Sequence, residues 1–132
     1  MQKVIKLLSI ITMTSFLSMP VKAEVNSIFK RITQEMPTQK AQDFCSAERD
    51  LAFHIMLQRQ AYGNFADLIK DISSNDDTNL EPLAQDVLQL NREIIARAYF
   101  TPIRKGSLFK QLAAKSFAET LYEQCKANIN MK

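Results

Sequence analysis

The sequence predicts an all-α fold: a small disulfide-tied helical bundle of four main helices plus one short helix. Apolar residues recur three and four positions apart along most of the chain, as one buried helix face requires. No segment alternates apolar and polar residues with β-branched enrichment, so no sheet is expected. Two cysteines fall on predicted helices, Cys45 near the start of the second and Cys125 near the far end of the chain.

The first 23 residues read as a signal peptide and are set apart from the fold. Lys3 and Lys6 give a positive start, and an apolar run from Leu7 to Leu17 follows. Pro20 breaks the run, and Val21-Lys22-Ala23 places small residues where a signal peptidase reads. The run has about 11 residues against the ~20 that span a bilayer, so a retained membrane helix is the lesser alternative. No cysteine lies at the cleavage site to carry a lipid. The remainder, 24–132, is the size of one helical domain. Lys3, Lys6 and Lys22 are the only charges removed, so fourteen of the seventeen basic residues remain against fourteen acids. A balanced chain gives no reason to expect nucleic acid, or a membrane once the signal is gone, as a partner.

In order, residues 24–36 carry Val25, Ile28, Phe29, Ile32 and Met36, an amphipathic helix that is short enough to pack loosely. Pro37 ends it, because the residue before a proline avoids the helical region. Thr38 is the expected cap of the second helix, 39–62, around which the bundle is arranged. Its apolar face is Phe44, Leu51, Ala52, Ile55 and Tyr62. Gly63 supplies a stop and Asn64 a cap, so a short third helix is expected over 65–72; one long kinked helix is the alternative. Residues 73–79, SSNDDTN, are all turn or cap formers and read as a loop.

Pro82 suits the first turn of the fourth helix, where a missing N–H costs nothing. Leu83, Val87, Leu90, Ile94 and Ala98 form its stripe, widened by Leu88, Ile95 and Tyr99, which marks it as the most buried helix. Thr101-Pro102 stops it, and Ser107 is the expected cap of the fifth helix. Phe109, Leu112, Ala113, Phe117, Leu121 and Cys125 lie along one side of that helix, and Asn128 to Lys132 reads as a fraying polar tail.

Two cysteines in an exported chain most simply form one disulfide, Cys45–Cys125. Closing a loop of about 80 residues stabilises by roughly 4 kcal/mol in the chain-entropy model. Cys45 is near the start of its helix and Cys125 near the end of its own, so the bond sets the two helices side by side and antiparallel.

Candidate sites are few. His54 is the only histidine, and the Cys-x-x-Cys-His signature of covalent haem is absent. Asn75, Asp76, Asp77, Asn79 and Glu81 are oxygen-rich but lack the calcium-loop spacing and its glycine. Arg97, Arg104, Lys105 and Lys110 gather about the turn before the fifth helix and form a candidate anion patch. Arg59 falls on the core side of its helix, where a guanidinium needs a partner, and Glu93 is the expected one in a structural ion pair. There is no G-x-S-x-G serine motif, no Cys–His pair once the cysteines are bonded, and no specific carboxylate pair. No catalytic residue, metal or cofactor is expected.

Four spaced anchors stand out: Cys45-x-Ala47, Arg59-Gln60-x-x-Gly63, Ala98-Tyr99-x-x-Pro102 and Phe117-x4-Tyr122-x-x-Cys125. This pattern resembles a loose group of small exported bacterial helical proteins with two terminal-proximal cysteines and no assigned activity. The resemblance covers residues 45–125 and departs from the group in placing two residues, not one, between Gln60 and Gly63. It implies the helix count and the disulfide, and no catalytic residues. The expected function is a small periplasmic or secreted protein-binding module, an inhibitor or immunity-type partner of another exported protein. The alternative is a small-ligand or cofactor carrier using the bundle interior; an enzyme ranks last.

Overall fold

The structure, a computed structural model, describes residues 24–62 and 81–130. The expected signal peptide, the stop at Gly63, the short helix 65–72 and the acidic loop lie outside the described residues. Within them the protein is all-helical. The four helical stretches are α1 (24–34), α2 (Thr38–Tyr62), α3 (Pro82–Tyr99) and α4 (Ser107–Asn130). Among the described residues no helix is long and apolar enough to cross a membrane.

Proline and glycine chemistry sets the helix boundaries. After α1 the backbone tightens through Glu35 N–H to the Ile32 carbonyl and Met36 N–H to the Thr33 carbonyl. Pro37 then prevents continuation. The Pro37 carbonyl accepts the Ala41 N–H at 2.9 Å, so Pro37 holds the cap position and Thr38, the expected cap, is the first helical residue. Pro82 does open α3, with the Glu81 carbonyl accepting Gln85 N–H. At α4 the capping carbonyl belongs to Gly106, bonded by Lys110 N–H at 3.1 Å, and Ser107 is displaced into the helix. Gly106 has φ 89°, a conformation that costs glycine little and other residues more.

The core is built chiefly on α2 and α4, which pack along their length as an antiparallel pair. Ala41, Cys45, Ala52, Ile55 and Met56 of α2 are buried against Ala114, Ala118, Leu121, Cys125 and Ile129 of α4. Alanines at the α4 face let the two backbones approach closely. The Cys45–Cys125 disulfide is formed, with Cα atoms 5.6 Å apart.

The face of α2 differs from the expected one in detail. Leu51 is exposed and Phe44 only half-buried, while Glu48 and Gln60 point inward. Far from packing loosely, α1 contributes Val25, Ile28, Phe29 and Ile32, all essentially without solvent contact. Its Thr33 hydroxyl is buried too and is satisfied by the Phe29 carbonyl at 2.8 Å.

Nor is α3 the most buried helix. Only Leu90, Ile94, Ile95 and Ala98 are fully covered, and Tyr99 is exposed. An ion pair from Arg31 to Asp86 at 3.4 Å ties it to α1. The polar end of α4 does not fray at Asn128: the helix continues to Asn130, and Asn128 is buried. Asn128 Nδ2 donates to Asn26 of α1 at 3.0 Å and to the Gln124 carbonyl at 2.8 Å.

Candidate functional site

The connection from α3 to α4 is held from the side by the last turn of α2. Gln60 is buried, and its amide is used at both ends. Its Nε2 donates to the Pro102 carbonyl at 3.0 Å and its Oε1 accepts the Arg104 N–H at 2.7 Å. Met56 Sδ lies 3.5 Å from the same Nε2. Beside it Arg59 donates from Nε to the Thr101 carbonyl at 3.3 Å and lies over the Tyr99 ring, 5.0 Å from its centroid. The Thr101 hydroxyl closes the end of α3 by donating to the Arg97 carbonyl at 3.1 Å. Two adjacent α2 residues thus hold three connection residues, Thr101, Pro102 and Arg104.

What this clamp presents to solvent is apolar. Of the exposed large apolar residues described, all but Leu51 fall between Tyr99 and Leu112: Tyr99, Phe100, Ile103, Leu108, Phe109 and Leu112. Phe100 is 79% exposed, and Leu108 and Phe109 are 63% and 61% exposed. Leu108, Phe109 and Leu112 share one face of the first turns of α4 by helical spacing. Phe109 and Leu112, expected in the core, stand outside it because the α2–α4 contact is made by the alanine face beginning at Ala114. A cluster of this kind, rimmed by polar residues, is the usual mark of an interaction surface.

The sequence around the cluster carries charge of one sign. Between Ile94 and Ala118 the sequence holds Arg97, Arg104, Lys105, Lys110 and Lys115 and no acid. Among the described residues no carboxylate forms an ion pair with any of these five. A concavity of about 350 Å³ opens beside the apolar cluster, lined by Thr101, Arg104, Ala113, Ser116 and Phe117.

The candidate anion patch is therefore divided. Arg104 lines the concavity and Lys105 stands exposed beside it in sequence; Lys110 is half-buried. Arg97 turns away to α4, donating to Gln124 Oε1 at 3.3 Å, and burial lowers its pKa.

Arg59 and Glu93 have different described partners. Arg59 meets Thr101 and Tyr99, whereas Glu93 accepts from Gln89 at 3.1 Å. Burial, followed by the Glu24 charge, pushes the Glu93 carboxyl up, with the Gln89 hydrogen bond acting in opposition. His54 is exposed, edge-on to Phe53. Among the described residues no three His, Cys, Asp or Glu side chains are placed to hold a metal ion.

Two features lie away from this surface. A polar cleft of about 300 Å³ at the disulfide end is lined by Gln39, Gln42, Asp43, Ser46, Tyr122, Lys126, Ile129 and Asn130. The Tyr122 ring at its edge is flanked by Arg49, 4.2 Å from the centroid, and Lys126, 4.6 Å away. One turn after Cys45, Glu48 is buried, and its Oε2 has no hydrogen-bond partner. Desolvation pushes its carboxyl up to about 7.

Comparison with protein-family models, with curated proteins and with solved structures finds no match to this chain.

Proposed function

We propose that this is an exported protein-binding module, an inhibitor or immunity-type partner that docks on another protein of the same compartment. The observation that carries this reading is the exposed apolar cluster, made of Phe100 and Ile103 on a connection clamped by Gln60 and Arg59 and of Leu108, Phe109 and Leu112 on the first turns of α4. A clamped surface loses little conformational entropy on binding, which favours affinity. Large aromatic and aliphatic side chains are the common anchors of such interfaces. The disulfide supports an oxidising location, periplasmic or secreted. The same features require no catalytic group.

The test is site-specific photo-cross-linking in the native host. A benzophenone amino acid replaces Phe109 or Leu112, and Lys40, exposed at the start of α2, serves as the control position. Discrete protein adducts from the first two positions and none from the control are the expected result. Lipid-only adducts, or no adducts at any position, overturn the reading.

A further inference from the structure

We infer that the partner presents an apolar segment bearing a carboxylate, and that the carboxylate seats in the Arg104 concavity while the apolar residues cover Phe100, Ile103, Phe109 and Leu112. This rests on the protein-binding reading above and specifies the chemistry of what binds.

Charge is the first argument. Basic and acidic residues balance over 24–132, yet the stretch 94–118 carries five cations and no acid. A field of one sign beside an apolar surface selects a partner of opposite sign and repels cationic ones. The concavity is the second. Two of its lining residues carry donors that suit an anion: Arg104, whose planar guanidinium fork matches a carboxylate, and Ser116, with its hydroxyl. The Thr101 hydroxyl is already committed to the Arg97 carbonyl, so it contributes acceptor capacity only. Ala113 and Phe117 form apolar walls suited to the methylenes of a Glu or Asp side chain.

The shape favours a projecting protein side chain over a bilayer. A helix lying in a membrane interface needs an extended apolar stripe. Here the exposed apolar face of α4 ends at Leu112, and Lys115 and Ser116 follow on the surface. The remaining apolar residues sit on the clamped connection, beside a hollow that a flat surface does not fill.

The experiment uses the purified, disulfide-bonded chain and three short fluorescent peptides. All share a Leu/Phe frame and carry Glu, Gln or Lys at the same positions, and binding is read by anisotropy. The Glu peptide is expected to bind about tenfold or more tightly than the Gln peptide, as a charge-assisted bond to Arg104 implies, and the Lys peptide not to bind. Arg104→Gln should reduce the Glu peptide to the affinity of the Gln peptide and leave the latter unchanged. Leu108→Ser with Phe109→Ser should weaken both peptides. These positions are exposed, and unchanged thermal melting shows that each variant folds.

Equal binding of the Glu and Gln peptides overturns the inference. So does an Arg104→Gln variant that keeps the preference, or failure of all three peptides to bind. Binding to phosphatidylcholine vesicles containing phosphatidylglycerol, without peptide binding, assigns the surface to a membrane and overturns it too. If the peptides fail while Phe109 still cross-links to a protein, the carboxylate chemistry falls and the protein-binding reading survives.

Discussion

The side chain of Gln60 accepts the backbone N–H of Arg104 at 2.7 Å and donates to the Pro102 carbonyl at 3.0 Å, across more than forty residues of sequence. One buried amide therefore fixes the connection that carries Ile103 and leads into the α4 part of the exposed apolar cluster. Replacing it by an apolar residue of similar size leaves two backbone groups without their partner. Gln60→Leu should cost about 1–2 kcal/mol, because the connection is near enough to solvent for water to recover part of the loss. Amide exchange at Arg104 should accelerate in the variant while α2 stays protected. An unchanged Arg104 exchange rate would show that the clamp does not hold the connection.

Local chemistry made much of the fold legible. Pro37, Pro82 and Pro102 act within one turn of the chain, and each marks a boundary where it was expected; at α4 the cap falls on Gly106, one residue before the expected Ser107. The two cysteines are equally local in meaning once export is assumed. Helical periodicity states which residues share a face, but not how far a partner helix extends to cover it. That is why Phe109 and Leu112 were expected in the core and stand exposed. Gln60 carried no burial signal and Asn128 read as part of a fraying tail because their partners, Arg104 and Asn26, lie far away in sequence. The exposed cluster did leave a signal: Phe100 and Ile103 put large apolar residues into a connection that the bundle does not need for its core.

Cys45→Ser should lower stability by roughly 4 kcal/mol, since the bond closes a loop of about 80 residues in the unfolded chain. Urea unfolding of the oxidised protein, the reduced protein and the variant measures it. Reduced protein and variant should agree with each other and unfold well below the oxidised form. Coincident curves for all three would remove the disulfide from any role in stability.

Arg59→Met removes a charged donor from the Thr101 carbonyl and a cation from the face of Tyr99. A loss of about 1.5–3 kcal/mol is expected. Because the described partner of Glu93 is Gln89, the double variant with Glu93→Gln should be additive within about 0.5 kcal/mol. A coupling of several kcal/mol in that cycle would mean that Arg59 and Glu93 form a direct pair in solution.

Glu48 makes stability depend on pH in an unusual direction for a carboxyl. Burial raises its folded pKa from 4.5 to about 7, and Oε2 has no hydrogen bond to stabilise a charge. The folded state therefore binds more protons than the unfolded state between those values. The contribution of Glu48 to the unfolding free energy should be highest below pH 4.5, fall as pH rises to about 7, and level off beyond. The total fall from this group is about 3 kcal/mol, since each unit of difference is worth about 1.4 kcal/mol. Glu93, also raised by burial, adds a slope of the same sign, so the wild-type curve alone does not isolate Glu48. Glu48→Gln does: it cannot ionise, and the difference between the two curves should grow across pH 4.5–7 and stay constant above. Denaturant titrations at several pH values in one buffer series measure that difference. A difference that does not vary with pH would mean that Glu48 ionises in the folded state as readily as in the unfolded one, and that water reaches Oε2.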